Sequence, residues 1–190
     1  MLKGNNHYMI DLETLGTKNN SVITSIGVVE FNISTGKTNR EFYETVDLQN
    51  SLDLGFEIDA GSLTWWLSQP DSTRLEINKK GSKKLKDILI SLDNFFPTSS
   101  NSQGKRDPFY VWGNGASFDL GILGNAYLKC GLEIPWKFWN ERDVRSIVAL
   151  YPDIKANTKQ NGDAHNALSD CKFQIDYLVK TLRFVNSYNG

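Results

Sequence analysis

The segment His7-Tyr8-Met9-Ile10-Asp11-Leu12-Glu13 constrains this chain most tightly, because it reads as a β-strand carrying two acids where a core strand should carry none. A period of two puts Asp11 and Glu13 on one face and Ile10 and Leu12 on the other. Neighbouring carboxylates repel each other and resist losing water. A fold that keeps this strand central must therefore give the acidic face either a cation or a way out to solvent.

The rest of the pattern supplies partners for that strand. Ser21 to Phe31 is a second strand, β-branched and largely apolar, and Thr38 to Val46 alternates as a third. Leu85, Ile88, Leu89, Leu92, Phe95 and Phe96 fall at helical spacing. Phe109 to Trp112 is a short buried strand, and Ala116 to Cys130 a helix closed by Gly131. Phe138 to Val144 supplies another strand. Leu168, Cys171, Ile175, Leu178, Leu182 and Val185 then form one apolar face of a final helix. Strands first, then alternating helices and strands, predict the α/β class: a mixed sheet covered by helices. The chain has no internal repeat, and Pro97 to Gly104 reads as a surface loop within a single domain spanning residues 1–190.

Composition excludes several classes of function. Hydrophobic residues make up 39% and charged residues 23%, the proportions of a soluble globule. No apolar run is long enough for a membrane span, and the first residues lack a secretory signal. Cys130 and Cys171 form neither a disulfide framework nor a zinc spacing, which points to a reducing, cytoplasmic setting. The net charge is −1, yet Arg74, Lys79, Lys80, Lys83, Lys84, Lys86, Lys105 and Arg106 cluster against only three acids. Such a run is compatible with nucleic acid but is equally an ordinary solvated face.

Three further residues resist a purely structural reading. Asp119 shares a helix face with Ile122, Leu123 and Ala126, although acids are seldom buried without a partner. A helix-dipole role explains its place along the helix but not its face. Asp170 sits near the start of the last helix between Leu168 and Cys171, and His165 precedes it by five residues. On one continuous helix the two would diverge, so they converge only if His165 lies on the turn before the helix. Asn161-Gly162-Asp163 has suitable turn chemistry.

Taken together, Asp11-Leu12-Glu13-Thr14, Asn114-Gly115-Ala116-Ser117-Phe118-Asp119 and His165-Asn166-Ala167-Leu168-Ser169-Asp170 resemble the three motifs of the DnaQ-like (DEDDh) 3′-5′ exonuclease family. Thr64-Trp65-Trp66-Leu67-Ser68-Gln69, Lys137 through Arg145 and His165 through Cys171 resemble, within it, the exodeoxyribonuclease A proteins of tailed phages and exonuclease VIII-like proteins. The resemblance implies a ribonuclease H-like fold, a five-stranded mixed sheet flanked by helices. It also implies hydrolysis of phosphodiester bonds from a 3′ end with release of 5′-mononucleotides. For a phage-encoded enzyme the setting would be the host cytoplasm.

Carried over by that resemblance, Asp11, Glu13 and Asp170 would hold one metal ion, and Asp11 with Asp119 a second. Hard oxygen ligands suit Mg²⁺ or Mn²⁺. His165 would be the general base. Thr14, Leu15, Trp66, Asn114 and Phe118 are the expected substrate contacts, with Leu15 a wedge against the last base and Trp66 and Phe118 stacking bases. At least one of Trp65 and Trp66 must pack in the core. Trp112 is expected in the core, and Arg142, Asp143 and Arg145 are expected to form a structural ion-pair cluster. The expected partner is a single-stranded 3′ end, DNA ahead of RNA, with no membrane. Two rivals stand beside this reading: a non-catalytic nucleic-acid-binding module of the same fold, and a glycosidase-like use of Asp11 and Glu13.

Overall fold

Alternation in the first strand sorts the helices into two layers. The computed structural model describes residues 6–78, 82–97, 109–162 and 165–187. Its first strand, β1, spans His7–Thr14. Tyr8, Ile10 and Leu12 enter one apolar cluster and Met9 enters another, so Asp11 and Glu13 share the parity of Met9.

β2 (Ile23–Phe31) and β3 (Thr38–Thr45) continue from β1 as antiparallel neighbours. β4 (Tyr110–Gly113) pairs parallel with β1, and β5 (Glu141–Asp143) pairs parallel with β4. The order is β3-β2-β1-β4-β5, the mixed five-stranded sheet of the ribonuclease H-like fold, with the acid-bearing strand at its centre.

Three short helices follow β3: α1 (Leu48–Asp53), α2 (Ala60–Leu67) and α3 (Asp71–Arg74). Periodicity gives no sign of them, because capping starts the first two. Asp47 accepts the amide of Asn50, and Asp59 that of Ser62. α4 (Leu85–Phe95) and α5 (Ala116–Lys129) bury Leu85, Ile88, Leu89, Leu92, Leu120, Leu123 and Ala126 against the Tyr8, Ile10 and Leu12 face. α6 (Val144–Val148), α7 (Pro152–Ala156) and α8 (Ala167–Ser187) lie on the chain's later half. α6 and α8 cover the opposite face, where Val144, Cys171, Ile175 and Leu178 pack against Met9, Val29 and Trp112.

The expected strand over Phe138 to Val144 is shorter than its pattern. Phe138–Asn140 is a 3₁₀ turn with Phe138 and Trp139 exposed, so apolarity there does not mark a buried strand. Asp143 then ends β5 by capping α6, accepting the amide of Ser146 at 2.7 Å. Most of the Pro97 to Gly104 loop lies outside the described residues. Among those described, no helix is long and apolar enough to cross a membrane.

Candidate active site

β1 presents Asp11 and Glu13 towards α8. Asp11 is partly buried, and its Oδ1 accepts from Nε2 of Gln174 at 2.6 Å. Glu13 is 8% exposed. The backbone amide of the intervening Leu12 points the other way, donating to Oδ1 of Asp119 at 3.4 Å.

Asp119 reaches the same place from the end of the neighbouring strand. β4 stops at Gly113, and a Cβ there would stand 3.0 Å from Cβ of Asp119, so glycine lets the first turn of α5 close over the strand end without crowding. The carboxylate is 3% exposed. Asn114 and Phe118, also expected to matter, line the cavity beside it.

α8 brings the third group. Asn166 caps the helix, its side chain accepting the amide of Ser169 at 3.1 Å, and Asp170 occupies the first turn. His165 precedes the helix with a left-handed φ of 62°, and its amide donates to Oδ2 of Asp170 at 3.2 Å. Gln160 donates to Oδ1 of Asp170 at 2.5 Å. Of the expected turn Asn161-Gly162-Asp163, Asp163 lies outside the described residues. Gly27 on β2 seats α8 on the sheet. A Cβ at Gly27 would lie 2.5 Å from the carbonyl carbon of Ala167, so backbone touches backbone there.

Asp11, Glu13, Asp119, His165 and Asp170 therefore border one cavity of about 380 Å³. Burial raises the Asp11 carboxyl well above the carboxylate range, reinforced by repulsion from Asp119, Glu13 and Asp170 and opposed by the Gln174 bond. Burial pushes Asp119 up to about 7, against the backbone amides of Leu12 and Asn114 and the charge of Arg145. Burial raises Asp170 too, opposed by Gln160 and His165. A small divalent cation reverses all three penalties. The donors fit one: they are hard carboxylate oxygens, and ligand atoms of Glu13, His165 and Asp170 all lie within 4.8 Å of one another.

A second cavity, of about 500 Å³, shares Leu12, Glu13, Phe118 and His165 with the first and extends past Thr14 and Gly16 to Trp65. Here two expectations are corrected. Trp66 lines this cavity too, but it is 2% exposed, with its indole N–H donating to the carbonyl of Thr14 at 2.9 Å, which makes it the more buried of the pair. Trp65 is 43% exposed, and its ring meets that of His165 edge-on at 4.8 Å. Leu15 is 1% exposed and belongs to the apolar cluster, so it offers no wedge to a base. Thr14 lines the cavity, with its hydroxyl donating to the carbonyl of Gly16. Trp112 is core, as expected, and donates to Nδ1 of His7.

The ion-pair cluster expected of Arg142, Asp143 and Arg145 is also corrected. Asp143 accepts backbone amides from Ala116 and Ser146, and Arg142 lies over the Tyr110 ring. Against the pull of burial, those amides and the charge of Arg145 hold Asp143 below the usual carboxylate range, while the Arg145 guanidinium rests against Gly115 and lines the carboxylate cavity, which Lys155 lines too. Sequence reading missed Arg145, Lys155, Gln160 and Gln174 as cavity residues. Only Gln174 carried a signal, four residues after Asp170 and hence on the same side of the helix.

Known proteins resemble this chain in sequence and in fold. The 3′-5′ exoribonuclease Rv2179c-like domain matches residues 6–182. An exodeoxyribonuclease of Enterobacteria phage T4 is 25% identical, aligned over 93% of this chain and 89% of the phage protein. Among solved structures, the nuclease domain of 3′hExo, a DEDDh family member bound to rAMP, superposes with a TM-score of 0.64 at 12% identity, covering 95% of this chain and 93% of that one. Exonuclease X in complex with 5′-overhanging duplex DNA gives 0.57 at 16% identity, covering 95% and 93%.

Proposed function

The chain belongs to the Rv2179c-like 3′-5′ exoribonuclease domain family and is a 3′-5′ exonuclease of nucleic acid that depends on divalent metal, and from that premise we propose that it is one catalytic domain centred on the carboxylate cavity. The observation that carries this reading is the convergence of Asp11, Glu13, Asp119, His165 and Asp170, drawn from three separate segments, on a single cavity.

Asp11, Glu13 and Asp170 would hold one ion, and Asp11 with Asp119 would help hold a second; Mg²⁺ or Mn²⁺ is the choice that oxygen donors favour. Bound there, two such ions supply a lowered pKa for the attacking water and stabilisation of the attacking and leaving oxygens. The imidazole of His165 would take the proton of the attacking water as its oxygen bonds to phosphorus, and the 3′ oxygen of the preceding nucleotide would leave phosphorus and take up a proton from solvent. Asp170 steadies His165 through the backbone amide, and Trp65 flanks the imidazole edge-on. The terminal base occupies the second cavity, between Phe118 and the exposed face of Trp65.

Single-stranded DNA is the preferred substrate, a reading supported by the phage exodeoxyribonuclease that aligns along nearly the whole chain. RNA is the rival, supported by the description of the family itself. Protein incubated with Mn²⁺ and matched 5′-labelled DNA and RNA oligomers should shorten the DNA stepwise from its 3′ end, releasing 5′-mononucleotides, faster than the RNA. Faster loss of RNA reverses the substrate assignment. No metal-dependent release from either leaves only a binding module.

A further inference from the structure

Gln174 lies one helical turn beyond Asp170 on α8, lines the carboxylate cavity and is 4% exposed. Its Nε2 donates to Oδ1 of Asp11 at 2.6 Å. A carboxylate that ligates a cation is ionised and only accepts, so with metal bound the amide has one sensible orientation, nitrogen towards Asp11. Fixing the nitrogen fixes the oxygen. Oε1 is buried and has no hydrogen-bond partner among the described residues.

A buried acceptor without a donor is uncommon and calls for an explanation. The groups that crowd this part of the cavity, Asp11, Glu13, Asp119 and Asp170, offer acceptors when ionised and cannot meet the need. Arg145, Lys155 and Tyr177 border the same cavity, yet none of them bonds Oε1. The hydration shell of a divalent ion has what is missing. Mg²⁺ and its relatives retain several waters in protein sites, and each presents hydrogens outward.

We infer that Gln174 is a positioning residue for the metal centre, holding Asp11 through Nε2 while Oε1 accepts a hydrogen from water carried by the ion at Asp11. A neutral amide suits this place because it joins an anion on one side to a hydrated cation on the other. A carboxylate would add negative charge to an already crowded cage, and an apolar side chain would leave Asp11 without its donor. The inference rests on the carboxylate site proposed above.

Calorimetric titration with MnCl₂ alone, without nucleic acid, tests it, with melting curves in EDTA recorded alongside. Gln174→Leu should weaken Mn²⁺ binding by about 10- to 100-fold, the usual consequence of losing an outer-shell partner. Its kcat on a labelled oligonucleotide should recover as Mn²⁺ is raised, which a merely structural lesion would not allow. If Gln174→Leu fails to fold, Gln174→Asn takes its place, keeping the amide but drawing it back by one methylene; it too should bind Mn²⁺ more weakly. Unchanged Mn²⁺ affinity in a folded variant overturns the inference. Asp11→Asn separates this from the site itself. If wild type and Asp11→Asn bind Mn²⁺ alike, the carboxylate assignment fails, whatever Gln174 does.

Discussion

The two halves of the carboxylate cavity are built by different means. Asp11 and Glu13 stand on a strand paired along its whole length with β2, where they face Gly27 and Ser25, and along its first half with β4, from His7–Tyr110 to Ile10–Gly113. His165 and Asp170 stand on a turn and a helix start held by neighbours in sequence: Gln160, Asn166 and their own pairing. A ladder spreads the cost of any one change over many bonds, whereas a turn concentrates it on a few. The strand half should therefore tolerate altered chemistry without moving, and the turn half should lose its geometry when a single contact goes.

His165→Ala gives the largest effect expected of that division. It should lower kcat by roughly 10²–10⁴ through loss of the general base, with Mn²⁺ affinity and the position of Asp11 preserved. Calorimetry decides: lost Mn²⁺ binding would make His165 a ligand and join the two halves into one. Trp65→Ala should raise KM for a single-stranded oligomer by about 5- to 100-fold, the equivalent of roughly 1–3 kcal/mol of base stacking. Unaltered KM would place the terminal base elsewhere.

Gly27→Ala probes the seam between the halves. The added methyl meets the backbone of Ala167 and Leu168, so a loss of roughly 1–3 kcal/mol in urea unfolding is expected, with a matching fall in activity as α8 is pushed from the sheet. A variant as stable and active as wild type would show that the seam does not set the spacing. The remaining effect is on pH. Asp119 has its folded pKa raised from 3.8 to about 7, so the stability it contributes is complete in acid and is lost as pH rises through about 7. Asp11, raised for the same reason, adds the same sign. In EDTA the melting temperature should fall between pH 4 and neutrality, Asp119→Asn should flatten that slope, and Mn²⁺ should reverse it. A slope of the opposite sign would mean the carboxylates are not crowded.

Sequence pattern was most legible where burial repeats regularly. The strands β1 to β4, the helices α4, α5 and α8, and the mixed sheet all follow from periodicity, because each packs one continuous face against the core. The short helices α1 to α3 escaped because caps rather than faces define them. The five motif residues stood out as charges on otherwise apolar faces or as parts of a family pattern. The choice between Trp65 and Trp66 did not, because the two are chemically identical and adjacent. Only the packing of α2 decides which indole bonds the carbonyl of Thr14 and which is the more exposed on the cavity wall. Arg145 was placed only in part: its charge does act on Asp143, but its position near the start of α6 also brings the guanidinium against Gly115 and into the carboxylate cavity.

The left-handed backbone at His165 has an evolutionary corollary. A residue with a Cβ sits there at a cost of roughly 1–2 kcal/mol that glycine would escape. Durability and turnover therefore pull this position in opposite directions. A library selected for heat resistance alone should drift towards glycine at 165 and go silent, whereas one selected for degradation should keep the imidazole and accept the softer fold.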